Sequence, residues 1–137
     1  MTLKRQVASS SERRESGVGL IVKRFDAPEK VLVFDKGRLE LITVGGTVIG
    51  KGSYLPGWRW SHAAPASARA GNGPPEHVGV VLSGRAKVQI DEGQEVDITP
   101  GDFFHIATEY DCWVVGYRPC EVLYLDGIEA LVNRVNR

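Results

Sequence analysis

Three histidines, His62, His77 and His105, carry most of the chemistry that the sequence can offer. Imidazole titrates near neutrality and is the commonest ligand for divalent metals. In PPEHVGVVLSGRAKVQI, from Pro74 to Ile90, His77 stands at the mouth of an apolar run that breaks at Ser83-Gly84. His62 follows two tryptophans in PGWRWSH, and the segment AAPASARAGNGPPE over residues 63–76 separates the two histidines. A mononuclear centre draws three or four ligands from imidazole and carboxylate and keeps one position open. His62 and His77 supply two, and Glu109, Tyr110, Cys112 or His105 could complete the set. With Glu109 the set is two histidines and a carboxylate, which suits Fe(II); with Cys112 it favours zinc. His105 alternates with Phe104 and Ile106, so in a strand it faces away from them. Trp58 and Trp60 present flat, rigid surfaces suited to a ligand pocket, Trp60 the better placed because it lies two residues from His62 on the same strand face, and Tyr110 is a further ligand-binding candidate.

These residues need a scaffold, and the chain has the material for one. It holds 137 residues, 42% of them hydrophobic, enough for a single core. Seventeen basic residues balance seventeen acidic ones, so net charge recruits neither nucleic acid nor an anionic membrane. Apolar runs such as Val78–Leu82 are too short to span a bilayer, which leads to the expectation of a cytoplasmic protein acting on a small molecule. Cys112 and Cys120 flank the turn Gly116–Pro119, and its geometry sets Cys112 against position 123, so no disulfide is expected.

Residues 1–17 are polar, rich in Ser and Arg, and without periodicity, which predicts a flexible tail before a single domain over residues 18–137. From Val18 the rhythm is of short β-branched and aromatic runs divided by Gly, Pro and Asp. Ten strands are predicted: Val18–Arg24, Val31–Phe34, Arg38–Val44, Thr47–Tyr54, His77–Leu82, Arg85–Ile90, Glu95–Ile98, Phe103–Ile106, Cys112–Val115 and Cys120–Leu125. Hairpins are read at Asp91-Glu92-Gly93 and at Gly116–Pro119. With no helices to cover a flat sheet, an all-β jelly-roll barrel of about ten antiparallel strands removes the exposed edges. In DGIEALVNRVNR, Asp126 can cap a short C-terminal α-helix with Ile128, Leu131, Val132 and Val135 on one face. That stripe plugs the barrel of its own subunit or packs on a second one.

Several ordered segments resemble the cupin superfamily, and in particular its small single-domain bacterial members. They are FDKGRLELITVGG, PGWRWS, HVGVVLSG, Pro100-Gly101-Asp102 and WVVGYRPCEVL, spanning Phe25 to Asp126. The resemblance implies a double-stranded β-helix with a metal at its mouth. His62 falls where the first motif carries a histidine, and Trp60 stands where other cupins have the first of a His-x-His pair. His77 occupies the position of a glutamate ligand. In the second motif Tyr110 replaces the subgroup's histidine, and Cys112 that of the wider superfamily. A homodimer is implied as well, compatible with runs such as Val78–Leu82 that are apolar on both faces. Two functions follow. One is a protein with a divalent metal (Fe, Mn, Ni or Zn) and a small molecule in the barrel, working as an isomerase, lyase or dioxygenase. The other is a metal-free module that binds or senses a small molecule.

Overall fold

The computed structural model describes residues 19–63, 76–90, 93–107 and 109–135. The N-terminal tail and almost all of the 63–76 segment lie outside these.

Among the described residues nine strands form two antiparallel sheets. Strand β1 is Lys30–Phe34, β2 Gly37–Val44, β3 Thr47–Tyr54, β4 His77–Ser83 and β5 Ala86–Ile90. Strand β6 is Gln94–Ile98, β7 Phe103–Ile106, β8 Tyr110–Val114 and β9 Cys120–Asp126. A short helix α1 spans Trp60–Ala63, and α2 spans Ile128–Val135. The larger sheet runs β1-β2-β3-β9-β4-β7 and the smaller β6-β5-β8. Among the described strands no pairing joins the two sheets.

Period-two patterning decides which residues each strand buries. Along β9, Cys120, Val122 and Tyr124 are buried while Glu121, Leu123 and Leu125 alternate with them at intermediate exposure. Leu39 and Leu41 of β2 and Val81 of β4 also join the core between the sheets. Helix α2 adds Ile128, Leu131 and Val132, three of the four residues foreseen as its apolar stripe. It therefore packs on its own sheets. The side chain of Val135 lies outside the described ones.

Two expectations need correction. The run foreseen as a first strand, Val18–Arg24, makes none over its described residues. Its apolar residues are half-buried without joining a ladder, and among the described residues β1 is the edge strand of its sheet. The foreseen hairpin at Gly116–Pro119 does not form either. Strand β8 pairs with β5, whereas β9 lies between β3 and β4. The turn is a crossing between sheets, tied down by the Val115 amide donating to the Arg85 carbonyl at 3.0 Å. Cys112 therefore does not face position 123, and both cysteines are free thiols.

The Pro-Gly-Asp turn is a second crossing. The Thr99 amide donates to the Asp102 carboxylate at 2.8 Å, and Gly101 and Asp102 exchange backbone hydrogen bonds with Val81. Gly84, at φ 74°, lies where the turn before β9 passes over the end of β4. A Cβ there would run into the Pro119 carbonyl and stand 2.6 Å from the Cys120 Cα. Gly101 also has positive φ but open space around it. Urea denaturation should separate strain from collision. Gly101→Ala is expected to cost about 1–2 kcal/mol from the left-handed backbone alone, and Gly84→Ala about 3 kcal/mol or more.

Candidate functional site: an aromatic cavity between the sheets

The inward faces of both sheets and α2 enclose a cavity of about 100 Å³. That is room for several water-sized groups or one small organic molecule. Strand β9 lines it with Cys120, Val122 and Tyr124, and β8 with Tyr110, Cys112 and Val114. Phe104 and Ile106 come from β7, His77 from β4 and Tyr54 from β3. Trp58 and Trp60 enter from the segment before and within α1. The described wall contains no Lys, Arg, Asp or Glu.

The rings are organised around His77, which is 3% exposed. Its imidazole centroid lies 5.7 Å from the Tyr110 ring and 5.8 Å from that of Tyr124, with Phe104 edge-on at 6.1 Å. Trp60 stacks on Tyr110 at 5.7 Å, and Tyr54 contacts Trp58 at 4.3 Å. Seven aromatic side chains thus share one cavity, and ring pairs at these separations favour tilted, edge-on and offset arrangements.

Polar atoms are few: besides the His77 imidazole and the Trp58 and Trp60 indoles, they belong to weakly acidic phenols and thiols. The Tyr54 and Tyr124 hydroxyls share a hydrogen bond of 2.5 Å. Burial pushes the Tyr54, Tyr110 and Tyr124 phenols well above their ordinary range. It likewise pushes the Cys112 thiol up, with Asp111 adding to the effect, and the Cys120 thiol to about 11. At neutral pH these groups stay protonated, so the thiols act as small apolar residues rather than nucleophiles. The indole Nε1–H of Trp58 is buried with no acceptor among the described residues. An unmet buried donor costs about 1–3 kcal/mol.

A salt-bridged clamp holds the tryptophan segment in place. Asp111 of β8 accepts from Arg59 Nε at 2.7 Å, from the Ser61 amide at 3.0 Å and from Ser61 Oγ at 2.9 Å. The Arg59 guanidinium lies 4.3 Å above the Trp113 ring, and the Val114 amide donates to the Trp58 carbonyl at 3.2 Å. Arg59 thus faces outward while its neighbours Trp58 and Trp60 are delivered to the cavity.

The structure sorts the residues singled out from sequence. His77, Tyr110, Cys112 and Trp60 line the cavity. His62 does not: it is exposed on α1, whereas Trp60 is buried. The reading that placed these two on one strand face assumed an extended backbone. Residues 60–63 are helical, and two helical steps turn a side chain by about 200°. His105 is exposed on the outer side of β7, with its Nε2 2.8 Å from Glu76, and Glu109 is exposed as well. Among the described residues no group of three or more His, Cys, Asp or Glu side chains could hold a metal ion.

Sequence reasoning missed Tyr54 and Tyr124, whereas Trp58, read with Trp60 as a flat pocket surface, does line the cavity. A signal was present in β3, where Gly50 and Gly52 alternate toward the interior ahead of Tyr54. Gly50 lies opposite Tyr124 in the register, and a Cβ on Gly52 would stand 2.7 Å from the Tyr54 ring. Missing side chains on an inward face leave room for rings.

No family model matches the chain, and no curated protein matches it. Solved structures do. Ectoine synthase from P. lautus aligns at TM-score 0.56 and 11% identity, over 79% of this chain and 79% of that one. A putative ethanolamine utilization protein Q from Salmonella typhimurium LT2 aligns at 0.56 and 15% identity, over 85% and 92%. A protein of unknown function from Acinetobacter sp. ADP1 aligns at 0.51 and 16% identity, over 72% and 90%. The first two are cupin-fold proteins. At these identities the likeness is one of fold. No helix among the described residues is long and apolar enough to cross a membrane.

The clamp makes a pH prediction. Burial raises the Asp111 carboxyl, but the hydrogen bonds from Arg59 and Ser61 outweigh it, leaving its pKa below 3.8. A depressed carboxylate contributes stability that is present above its unfolded pKa and lost as pH falls through the folded value. Asp111→Ala should cost about 1–3 kcal/mol at pH 7. Chemical denaturation from pH 7 downward should show the gap to wild type narrowing only below about pH 4.

Proposed function

We propose that this chain binds a small, largely apolar organic molecule in the cavity between its sheets, and that it needs no metal to do so. The supporting observation is the donor set of the wall. It offers seven aromatic rings, one imidazole, and phenols and thiols that burial keeps protonated. The nearest carboxylate by sequence, Asp111, is engaged by Arg59 and Ser61. Cu, Zn and Fe centres require deprotonated thiolates, neutral imidazoles or free carboxylates in convergent sets. A shielded apolar wall with a few fixed polar groups is instead the ordinary composition of a small-molecule pocket.

The metal-dependent alternative, an isomerase, lyase or dioxygenase, keeps one specific point in its favour. His77 is an imidazole on the cavity wall of a cupin-like fold. It needs co-ligands for His77 from beyond the described residues, where the chain carries the carboxylates Glu12, Glu15, Asp91 and Glu92.

Plasma mass spectrometry on the untagged protein, with organic extraction of the same sample, separates the two readings. The expected result is metal far below stoichiometry before and after reconstitution, with a small organic compound in the extract. That compound should disappear when Val122→Trp fills the cavity. Near-stoichiometric metal that is lost in His77→Ala would replace the proposal with the metal centre.

A further inference from the structure

We infer that the occupant of the cavity presents a neutral carbonyl-type oxygen, and that this oxygen accepts a hydrogen bond from the Tyr54–Tyr124 pair. The inference rests on the small-molecule reading and specifies its chemistry.

A phenol has one O–H to give and lone pairs with which to accept. When two phenols bond to each other one O–H is used and the other is left over. Tyr54 and Tyr124 are such a pair at 2.5 Å, and among the described residues neither has another hydrogen-bond partner. The leftover O–H belongs to the phenol that is already accepting, and accepting a bond polarises a hydroxyl and makes it a better donor. The Trp58 ring stands 4.3 Å from that of Tyr54, and its buried Nε1–H also lacks an acceptor. Two donors on touching rings therefore call for an acceptor.

The wall also selects the charge of that acceptor. A carboxylate would be buried with no Lys or Arg to pair with it. An ammonium is a donor only and would leave both protein donors unmet. A ketone, aldehyde or amide oxygen on a compact apolar body satisfies the donors and needs no counter-ion. Gly52 on β3 makes room for the pair itself, since a Cβ there would collide with the Tyr54 hydroxyl and ring.

The test uses the ¹⁵N-labelled full chain, whose three tryptophans give three indole signals. It is titrated with cyclohexanone, toluene and cyclohexanecarboxylate, and each dissociation constant is taken from shift changes. Cyclohexanone and toluene are expected to bind, the carboxylate far more weakly, and the Trp58 indole signal should respond more to the ketone than to toluene. In Tyr124→Phe and in Tyr54→Phe the ketone-to-toluene preference should fall about three- to tenfold. Toluene binding itself should persist, which also shows that each variant folds; should one variant fail that check, the other decides. An unchanged preference in a variant that still binds toluene would overturn the donor assignment and leave the small-molecule reading standing. Tighter binding of the carboxylate than of the ketone would overturn it too. If wild type bound none of the three, the small-molecule reading would fall and take the inference with it.

Discussion

Strand β9 carries the rest of the structure, because it enters the larger sheet between β3 and β4 rather than beside the strand that precedes it. Its ladders to both neighbours fix the register on either side. They place Tyr124 opposite Gly50 and Cys120 opposite Tyr54. That register brings two phenols from neighbouring strands within a hydrogen bond. A slip of one residue would turn Cys120, Val122 and Tyr124 outward and expose an entire wall of the cavity. The close passage at Gly84 is part of the same constraint, since the chain must cross the end of β4 tightly to reach its slot.

Much of this was legible in the sequence, for reasons that can be named. Nine of the ten strands foreseen appear, since β-branched alternation between glycine and proline breaks is a local signal. The helix over DGIEALVNRVNR was legible from its apolar spacing. The failures concern partners rather than segments. Residues 19–24 have strand-like composition, but their apolar side chains are half-buried without any backbone pairing among the described residues. The Gly116–Pro119 turn looks like a hairpin because pairing with the next strand is the default, and only the prior claims of β3 and β4 on β9 overrule it. The segment around His62 was misread for a third reason. A single helical turn from Trp60 to Ala63 reverses which residues share a face, and four residues are too few to show a period.

The cupin resemblance and the cavity chemistry answer different questions. The structural neighbours share the fold. The side chains decide what enters it. Here the position that the resemblance assigns to a metal-binding histidine is Tyr110, whose phenol burial keeps neutral and whose ring stacks on Trp60. A phenol at that position offers one neutral hydrogen-bond donor where an imidazole would offer a ligand nitrogen.

Helix α2 supplies a wall of the cavity with only eight residues. A helix that short is marginal by itself, and it persists here through the burial of Ile128, Leu131 and Val132. The opening of such an element draws on local rather than global stability. Undocking of the last helix would remove one wall of the cavity while leaving both sheets intact, and amide exchange along 128–135 reports how often those eight residues let go.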